Sequence, residues 1–223
     1  MRKTLPQTHQ ERKQSDGQMR VLKIEELSKT RYKVISDNGF AFVLYKGELR
    51  HYGVSEGAEL SRETEREIRE ELLPKRAKLR AMNLLSKRQY TGKQLYDKLI
   101  QGGYDEQTAE AALDYVRSFR YVDDAEYASE FIRCNADRRS RREIGQKLRQ
   151  RGISAQIIAE AFDSMAELGF VCDEEERIRD LLQKKHFDPS QADEREKQRL
   201  YGFFYRKGFS MDLVRRLMGD TFT

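Results

Sequence analysis

The chain has 223 residues, 38% hydrophobic and 36% charged, and the charged share is well above the quarter typical of globular domains. This composition favours thin helical layers over one thick core, and the net charge of only +5 permits contact with nucleic acid without requiring it. No segment is long and apolar enough to span a membrane and the first residues lack a signal peptide's apolar core, so we expect a cytoplasmic protein.

The first sixty residues contain two predicted segments. Residues 1–17 are polar without periodicity, which predicts a disordered tail. Residues 18–60 contain three short apolar runs, and Asn38-Gly39 between the second and third supplies the positive φ angles of a tight hairpin turn. We therefore predict a small antiparallel β unit. Because so few short strands are marginal alone, we expect them to pack on the first helix.

The rest of the chain is predicted to be helical. Ser61 opens a charged helix, Pro74 is expected to end or kink it, and a second helical stretch runs to Ser86. The predicted helical repeats cover residues 61–121, 122–169 and 170–223.

An internal repeat is the strongest pattern in the sequence. Gly152 lies 49 residues after Gly103, and Gly208 lies 56 residues after Gly152. Each glycine follows an amphipathic helix, at the position where a left-handed residue closes the helix. Capping boxes open the helix before the first two glycines, with Thr91 three residues before a Gln and Ser140 three residues before a Glu. Three tandem three-helix repeats follow, in an elongated and curved array.

Catalytic motifs are absent from the sequence. It contains no phosphate-binding loop, no HExxH and no GxSxG pattern, and neither cysteine belongs to a CxxC pair. Asp123-Asp124 is a carboxylate pair, but a metal site needs further converging ligands. We interpret the pair as an N-cap with an acidic first turn, because it aligns with Cys172-Asp173 in the next repeat, where only capping is conserved between the two copies.

Basic residues cluster at equivalent places in the repeats. In the second repeat Arg138, Arg142 and Arg149 could share one helical face at spacings of four and seven. The candidate binding surface comprises Lys87, Arg88 and Lys93 in the first repeat, Arg138, Arg139, Arg141, Arg142, Lys147, Arg149 and Arg151 in the second, and Arg206, Lys207, Arg215 and Arg216 in the third. Basic residues at a helix start oppose the helix dipole, so an anionic partner explains them better than helix stability does. A merely solvated face is the alternative for any single residue, and phosphate backbone and an acidic protein groove both remain open as partners.

Several separated motifs resemble the RecX regulatory protein family. They are Leu84-Leu85-Ser86-Lys87-Arg88, Lys98-Leu99, Tyr121-Val122-Asp123-Asp124-Ala125-Glu126-Tyr127-Ala128 and Gly152-Ile153, with Phe40-Ala41-Phe42, Tyr52-Gly53-Val54 and Gly57-Ala58-Glu59-Leu60 resembling the family's β extension. The resemblance covers residues 18–219. Two departures are the charged tail and Cys172 in place of a second acidic residue.

The resemblance implies a mainly α protein of three three-helix repeats that binds the RecA recombinase and the RecA–DNA filament. Such proteins inhibit or modulate the recombinase, ATPase and co-protease activities of RecA and are not enzymes. We accordingly expect no cofactor and no metal, a monomer, and weak direct DNA binding. The alternative is a general DNA-binding helical module without dependence on RecA.

Overall fold

A computed structural model describes residues 18–219 of the chain. These residues form two compact units, one built from residues up to Leu79 with Leu99–Ala112, the other from Arg80–Lys98 with residues from Leu113 onward. Across the described residues, none of the helices has both the length and the apolar character needed to cross a membrane. The architecture is mainly helical with a small antiparallel sheet before the repeats, as predicted.

The sheet has four antiparallel strands in the order β3-β2-β1-β4. They are β1 (Met19–Ser28), β2 (Arg31–Ser36), β3 (Ala41–Tyr45) and β4 (Glu59–Leu60). The three predicted strands are confirmed. The two-residue β4 pairs Leu60 with Met19, and it was not predicted because it contains no apolar run.

The helices begin with α1 (Lys46–His51), which lies within the β extension and was not predicted. They continue with α2 (Arg62–Arg66), a π-helical segment (Glu67–Leu72), α3 (Leu73–Leu85), α4 (Gly92–Gln101), α5 (Glu106–Ser118), α6 (Asp124–Arg133), α7 (Arg141–Gln150), α8 (Ala155–Glu167), α9 (Glu174–Lys184), α10 (Glu194–Arg206) and α11 (Met211–Leu217). The three repeats are α3–α5, α6–α8 and α9–α11.

The β2–β3 hairpin turns at Gly39, which has a φ of +82°. The Gly39 N–H donates to the Ser36 carbonyl at 3.3 Å, and the Ser36 hydroxyl donates to the Asn38 side chain at 2.6 Å. The position of the turn was predicted. The two-residue form with positive φ at both Asn38 and Gly39 was wrong, because four residues separate the strands and one left-handed residue is then sufficient.

The sheet packs on the helical segment that follows it. Val34, Phe42 and Leu44 share one buried cluster with Ile68 and Leu73, and none of the five is more than 1% exposed. This confirms the expectation that the small sheet leans on the first helix, and burial of such apolar side chains is the main source of its stability.

The helix continues through Pro74 instead of ending there. Proline lacks an N–H donor and its ring clashes with the carbonyl four residues earlier. The π-helical segment absorbs this conflict: the Leu73 N–H donates to the Ile68 carbonyl, five residues back, and widens the turn before the proline.

The repeat cores follow the predicted stripes. In the second repeat Ile144, Leu148, Ile158, Ala161 and Phe162 are at most 5% exposed and belong to one cluster. In the third repeat the corresponding residues are Leu200, Phe204, Val214 and Met218, which are at most 2% exposed. The third offset is longer because two helices and two loops are longer. α10 has 13 residues where α7 has 10, α9 has 11 where α6 has 10, and the loops before α9 and α10 are also longer than those before α6 and α7.

A repeated hydrogen bond joins consecutive repeats. Thr91 Oγ1 donates to the Arg151 carbonyl at 2.6 Å, and Ser140 Oγ donates to the Lys207 carbonyl at 2.7 Å. In both cases an N-cap hydroxyl of one repeat binds the carbonyl just before the glycine of the next. Thr91 is 0% exposed and Ser140 is 1% exposed, so the hydroxyl end of each of these part-buried bonds is shielded from water.

The glycines are required at these joints for two reasons. Gly152 has a φ of +85° and Gly208 a φ of +79°, which L-residues with a Cβ rarely adopt. A Cβ at Gly152 would lie well under 3.0 Å from side-chain atoms of Lys93, and a Cβ at Gly208 would lie 3.2 Å from Cβ of Arg142. The close approach of backbone to side chain therefore depends on glycine.

The β extension makes the equivalent joint with the first repeat. Gly103 has a φ of +90°, and a Cβ there would collide with Val43 of β3. The Arg31 guanidinium donates to the Gly102 carbonyl, as the hydroxyls of Thr91 and Ser140 do to their carbonyls. The sheet thus meets the first glycine turn in the manner of a preceding repeat.

Candidate basic interface of the second repeat

Helix α7 carries the centre of the predicted basic surface. Ser140 caps it, with Oγ accepting from the Glu143 N–H at 3.1 Å. Thr91 caps α4 in the same way, and there the Gln94 side chain also accepts from the Thr91 N–H at 3.3 Å. The Glu143 carboxylate instead accepts from the Arg139 guanidinium.

Several predicted site residues have structural partners within the chain. The Arg139 Nε donates to the Asn135 side chain at 2.9 Å, in addition to its contact with Glu143. The Arg151 guanidinium donates to the Tyr127 hydroxyl at 2.8 Å and lies 4.3 Å from the centre of the Phe131 ring. These contacts hold both side chains against their own repeat and leave them less available to a partner.

Similar contacts involve predicted residues of the other repeats. Lys93 pairs with Asp97 and also packs on Gly152 at the joint between repeats. Arg88 lies over the Tyr90 ring, with 4.3 Å between the guanidinium carbon and the ring centre. Lys87 is exposed on the same turn.

In the third repeat, Arg216 donates to Glu175 at 2.7 Å. The Lys207 ammonium lies 5.3 Å from the centre of the Phe203 ring, while its carbonyl accepts the bond from Ser140. Arg206 and Arg215 are exposed on the surface of this repeat.

Arg142 and Arg149 form the exposed centre of the second-repeat surface. Both lie on one face of α7 at a spacing of seven residues, as predicted. Within residues 18–219, no carboxylate lies within ion-pair distance of either side chain. Arg138 was expected on the same face, and this was wrong because it precedes the Ser140 N-cap in a turn, where helical spacing does not apply. Lys147 is half-buried on α7.

The two arginines border an open cleft of about 550 Å³. Arg141 also contributes to the cleft, but its guanidinium lies 4.3 Å from the centre of the Phe162 ring and 3.6 Å from Asp163. The floor is apolar and is formed largely by Ile158, Phe162 and Phe209. Positive charge on the rim and apolar atoms below make this cleft amphipathic.

Sequence reasoning did not single out Gly145, which lines the cleft in the middle of α7. A signal was present in the repeat itself. At the repeat offsets, Gly145 corresponds to Tyr96 and Tyr201, so one copy of the repeat lacks the large side chain of the other two.

The pair Asp123-Asp124 has two capping roles. Asp123 caps its own helix α6, accepting from the N–H groups of Ala125 and Glu126 at 2.9 and 3.0 Å. Asp124 accepts from the Gly92 N–H at 2.9 Å, and thereby caps the neighbouring helix α4. The capping interpretation is confirmed, and the pair caps two helices, α6 through Asp123 and α4 through Asp124.

The predicted alignment of this pair was wrong by one residue. Asp173, not Cys172, is the N-cap of α9, accepting from the Glu176 N–H at 2.9 Å. Glu174 then corresponds to Asp124 and accepts from the Arg141 N–H at 3.2 Å. The loop before α9 is one residue longer than the loop before α6, which shifts the register. The second acidic residue is therefore retained, and Cys172 does not replace it.

Both cysteines are free thiols. Burial raises the pKa of the half-buried Cys172 thiol, and the nearby Glu174 carboxylate raises it further. Cys134 is exposed, and its hydrogen bond to Glu130 raises the pKa of its thiol. Over residues 18–219, no three His, Cys, Asp or Glu side chains converge in a way that could hold a metal ion.

In comparisons with known proteins, a separate family model matches each of the three repeats. The models for the first, second and third three-helix domains of RecX match residues 77–115, 123–161 and 173–218. A regulatory protein RecX from Caldanaerobacter subterraneus subsp. tengcongensis is 30% identical over 91% of this chain and 98% of its own length. This chain belongs to the RecX family.

Other RecX proteins agree with this assignment. The regulatory protein RecX of Trichlorobacter lovleyi is 34% identical over 62% of this chain and 91% of its own length. A crystal structure of regulatory protein RecX superposes with a TM-score of 0.55 and 25% identity, covering 91% of this chain and all of that one. RecX from Lactobacillus salivarius, at 19% identity and a TM-score of 0.51, shares the fold.

Proposed function

We propose that this RecX family member binds the RecA recombinase and the RecA–DNA filament and inhibits the recombinase, ATPase and co-protease activities of RecA. The family's relatives are called regulatory proteins, which supports a regulatory role without catalysis. The observation that carries the proposal is the exposed pair Arg142 and Arg149, whose charges are unmatched by carboxylates within residues 18–219. We expect the protein to act as a cytoplasmic monomer without a cofactor.

A strand-exchange assay tests the proposal. Purified protein added to preformed RecA filaments is expected to suppress strand exchange and ATP hydrolysis at less than one molecule per RecA. Unchanged rates of both reactions at equimolar protein would contradict it.

The contact surface is tested by replacing both exposed arginines. Arg142→Ala with Arg149→Ala should weaken filament binding by about tenfold or more, because charge-assisted contacts to an anionic partner are lost. Stability in urea should change by about 0.5 kcal/mol, since both side chains are exposed and alanine keeps the Cβ of Arg142 that faces Gly208 at the joint. The matched control is Arg133→Ala with Arg179→Ala, which removes the same formal charge from arginines already paired with glutamates. Equal losses in the two double variants would show a general charge effect instead of a specific surface.

A general DNA-binding module is the second candidate, because the same arginines could meet phosphate oxygens directly. It requires tight binding to bare single-stranded DNA that falls steeply with salt. Affinities for bare DNA and for RecA–DNA filaments, measured at several salt concentrations, separate the two. Equal affinities would favour the second candidate, whereas the proposed regulator prefers the filament.

A further inference from the structure

Gly145 lies in the interior of helix α7, where the backbone angles do not require a glycine. Its φ is not positive, and glycine in a helix interior is less stable than alanine because it loses more backbone entropy on folding. A Cβ at this position would lie 3.6 Å from the Arg149 side chain and 3.8 Å from Ile158, which are ordinary van der Waals distances. The chain itself therefore has room for a Cβ at this position.

The other two repeats have a large side chain where the second repeat has Gly145. The residues at the same position in the other repeats are Tyr96 and Tyr201, both partly buried. A tyrosine at 145 would project from the same face of α7 as Arg142 and Arg149. In the second repeat this position is instead a glycine that lines the cleft, with Arg149 Nη1 3.6 Å from where its Cβ would lie. The glycine lowers the stability of α7, and no close contact at its Cβ position within the described residues requires it.

The walls of the cleft define the chemistry of the occupant. Ile158, Phe162 and Phe209 are 4%, 5% and 3% exposed and form an apolar floor. Arg142 and Arg149 stand at the rim, both exposed. The cleft is open to solvent and has a volume of about 550 Å³, so it can receive a side chain of a partner without enclosing it. An apolar group fits the floor, and anionic groups beside it fit the rim.

We propose that this cleft receives a protein segment in which an apolar side chain is flanked by carboxylates. The proposal rests on the function proposed above, because it specifies the kind of partner that the same basic surface meets. The apolar side chain lies in the cleft beside Gly145, against Ile158, Phe162 and Phe209, and the flanking carboxylates pair with Arg142 and Arg149.

Nucleic acid fits the cleft less well. Sequence-tolerant binding of single strands relies on bases stacking on exposed aromatic faces. The aromatic residues of the floor, Phe162 and Phe209, are almost fully buried, and the Arg141 guanidinium already covers one face of Phe162. These features favour a peptide over a polynucleotide.

Three variants of the full-length protein test whether the cleft binds such a segment. Gly145→Tyr restores the side chain of the other two repeats and fills the cleft, while Gly145→Ala is the matched control that leaves it open. Arg142→Ala with Arg149→Ala removes the rim charges. Circular dichroism and urea unfolding check each fold, and Gly145→Ala is expected to be at least as stable as the wild type.

Binding is measured by fluorescence anisotropy with three labelled probes: a short peptide with a central leucine between glutamates, the same peptide with glutamines, and a single-stranded oligonucleotide. The glutamate peptide should bind the wild type and Gly145→Ala, and about tenfold or more weaker binding is expected for Gly145→Tyr, for the arginine variant and for the glutamine peptide. The oligonucleotide should bind Gly145→Tyr as well as it binds the wild type.

Three outcomes would contradict peptide binding in the cleft. They are no binding of the glutamate peptide to the wild type, undiminished binding of that peptide to Gly145→Tyr, or selective loss of oligonucleotide binding in that variant. Strand exchange is measured on the same preparations. If the wild type inhibits RecA but does not bind the peptide, only the proposal of peptide binding in the cleft is refuted. A wild type that binds the peptide but leaves RecA unaffected refutes the proposed function alone.

Discussion

Replacement of Ser140 by alanine tests the joint between the second and third repeats. Ser140 Oγ accepts from the Glu143 N–H and donates to the Lys207 carbonyl, so a single hydroxyl serves two backbone groups. Loss of the N-cap costs about 1 kcal/mol. Leaving a part-buried carbonyl without a donor costs about 1–3 kcal/mol more. Ser140→Ala should therefore lower the free energy of unfolding by about 2–4 kcal/mol.

Ser154 provides the matched control. It caps α8 by accepting from the Ile157 N–H at 3.2 Å, and it is exposed. Ser154→Ala should cost only about 1 kcal/mol, so the difference between the two variants isolates the bond that joins the repeats. Ser140→Thr should retain both bonds, as Thr91 does at the preceding joint.

Urea unfolding followed by circular dichroism measures these differences. Because each repeat contacts mainly its neighbours, a weakened joint should also broaden the transition of Ser140→Ala, as the third repeat unfolds before the second. Equal costs for Ser140→Ala and Ser154→Ala would refute the idea that the hydroxyl links the repeats.

Three further variants or measurements address the joints and the cysteines. Gly152→Ala should cost about 2 kcal/mol or more in urea unfolding, because the left-handed φ strains alanine and its Cβ meets Lys93; a loss below 1 kcal/mol would show that the joint adapts easily. Asp124→Ala should destabilise by about 1–2 kcal/mol, since the Gly92 N–H loses a charged acceptor; an unchanged midpoint would mean that water replaces the carboxylate. Burial raises the pKa of the Cys172 thiol, so less thiolate is present at neutral pH, and Ellman's reagent should react with it more slowly in the folded than in the unfolded protein. Equal rates in the two states would contradict this.

Local chemistry made much of the fold predictable from the sequence. The core stripes around Ile144 and Leu148 follow from helical periodicity, and Ser140 and Gly152 mark the start and end of the same helix. These signals lie within a few residues of the structure that they specify. The position of the hairpin turn at Gly39 was predictable for the same reason.

Errors arose where two local rules conflict or where a loop changes length. Pro74 is a helix breaker by its own chemistry, but the preceding π-helical turn accommodates it, and no single-residue rule anticipates that compensation. The shift from Cys172 to Asp173 came from one inserted loop residue, which a fixed offset cannot represent. The two-residue strand β4 depends on a distant partner, Met19, and has no local signal.

Charge clustering located the candidate surface but did not resolve its parts. Arg139 and Arg151 belong to the same run of basic residues as Arg142 and Arg149, yet the first two bind side chains of their own repeat. Which arginine is engaged depends on tertiary neighbours such as Tyr127, and these are invisible in the spacing of basic residues. Gly145 lines the cleft, and only a comparison between the repeats shows that the other two have a tyrosine at this position.

The joints also explain why a basic surface can coexist with a stable repeat. At each joint a backbone carbonyl before a glycine accepts a hydrogen bond from the preceding element: Arg31 donates to Gly102, Thr91 to Arg151, and Ser140 to Lys207. In this repeated bond only the first joint has a charged donor, and the other two have buried hydroxyls. The carboxylates of Asp124 and Glu174 add a second hydrogen bond across the later joints, to the N–H groups of Gly92 and Arg141. The guanidinium groups of Arg142 and Arg149 make no such bond, and only the aliphatic stem of Arg142 faces a joint, at Gly208. Their replacement should therefore alter binding while the repeats stay joined. The separation of stability from recognition within one helix is what makes the two sets of variants, at Ser140 and at the arginines, independent tests.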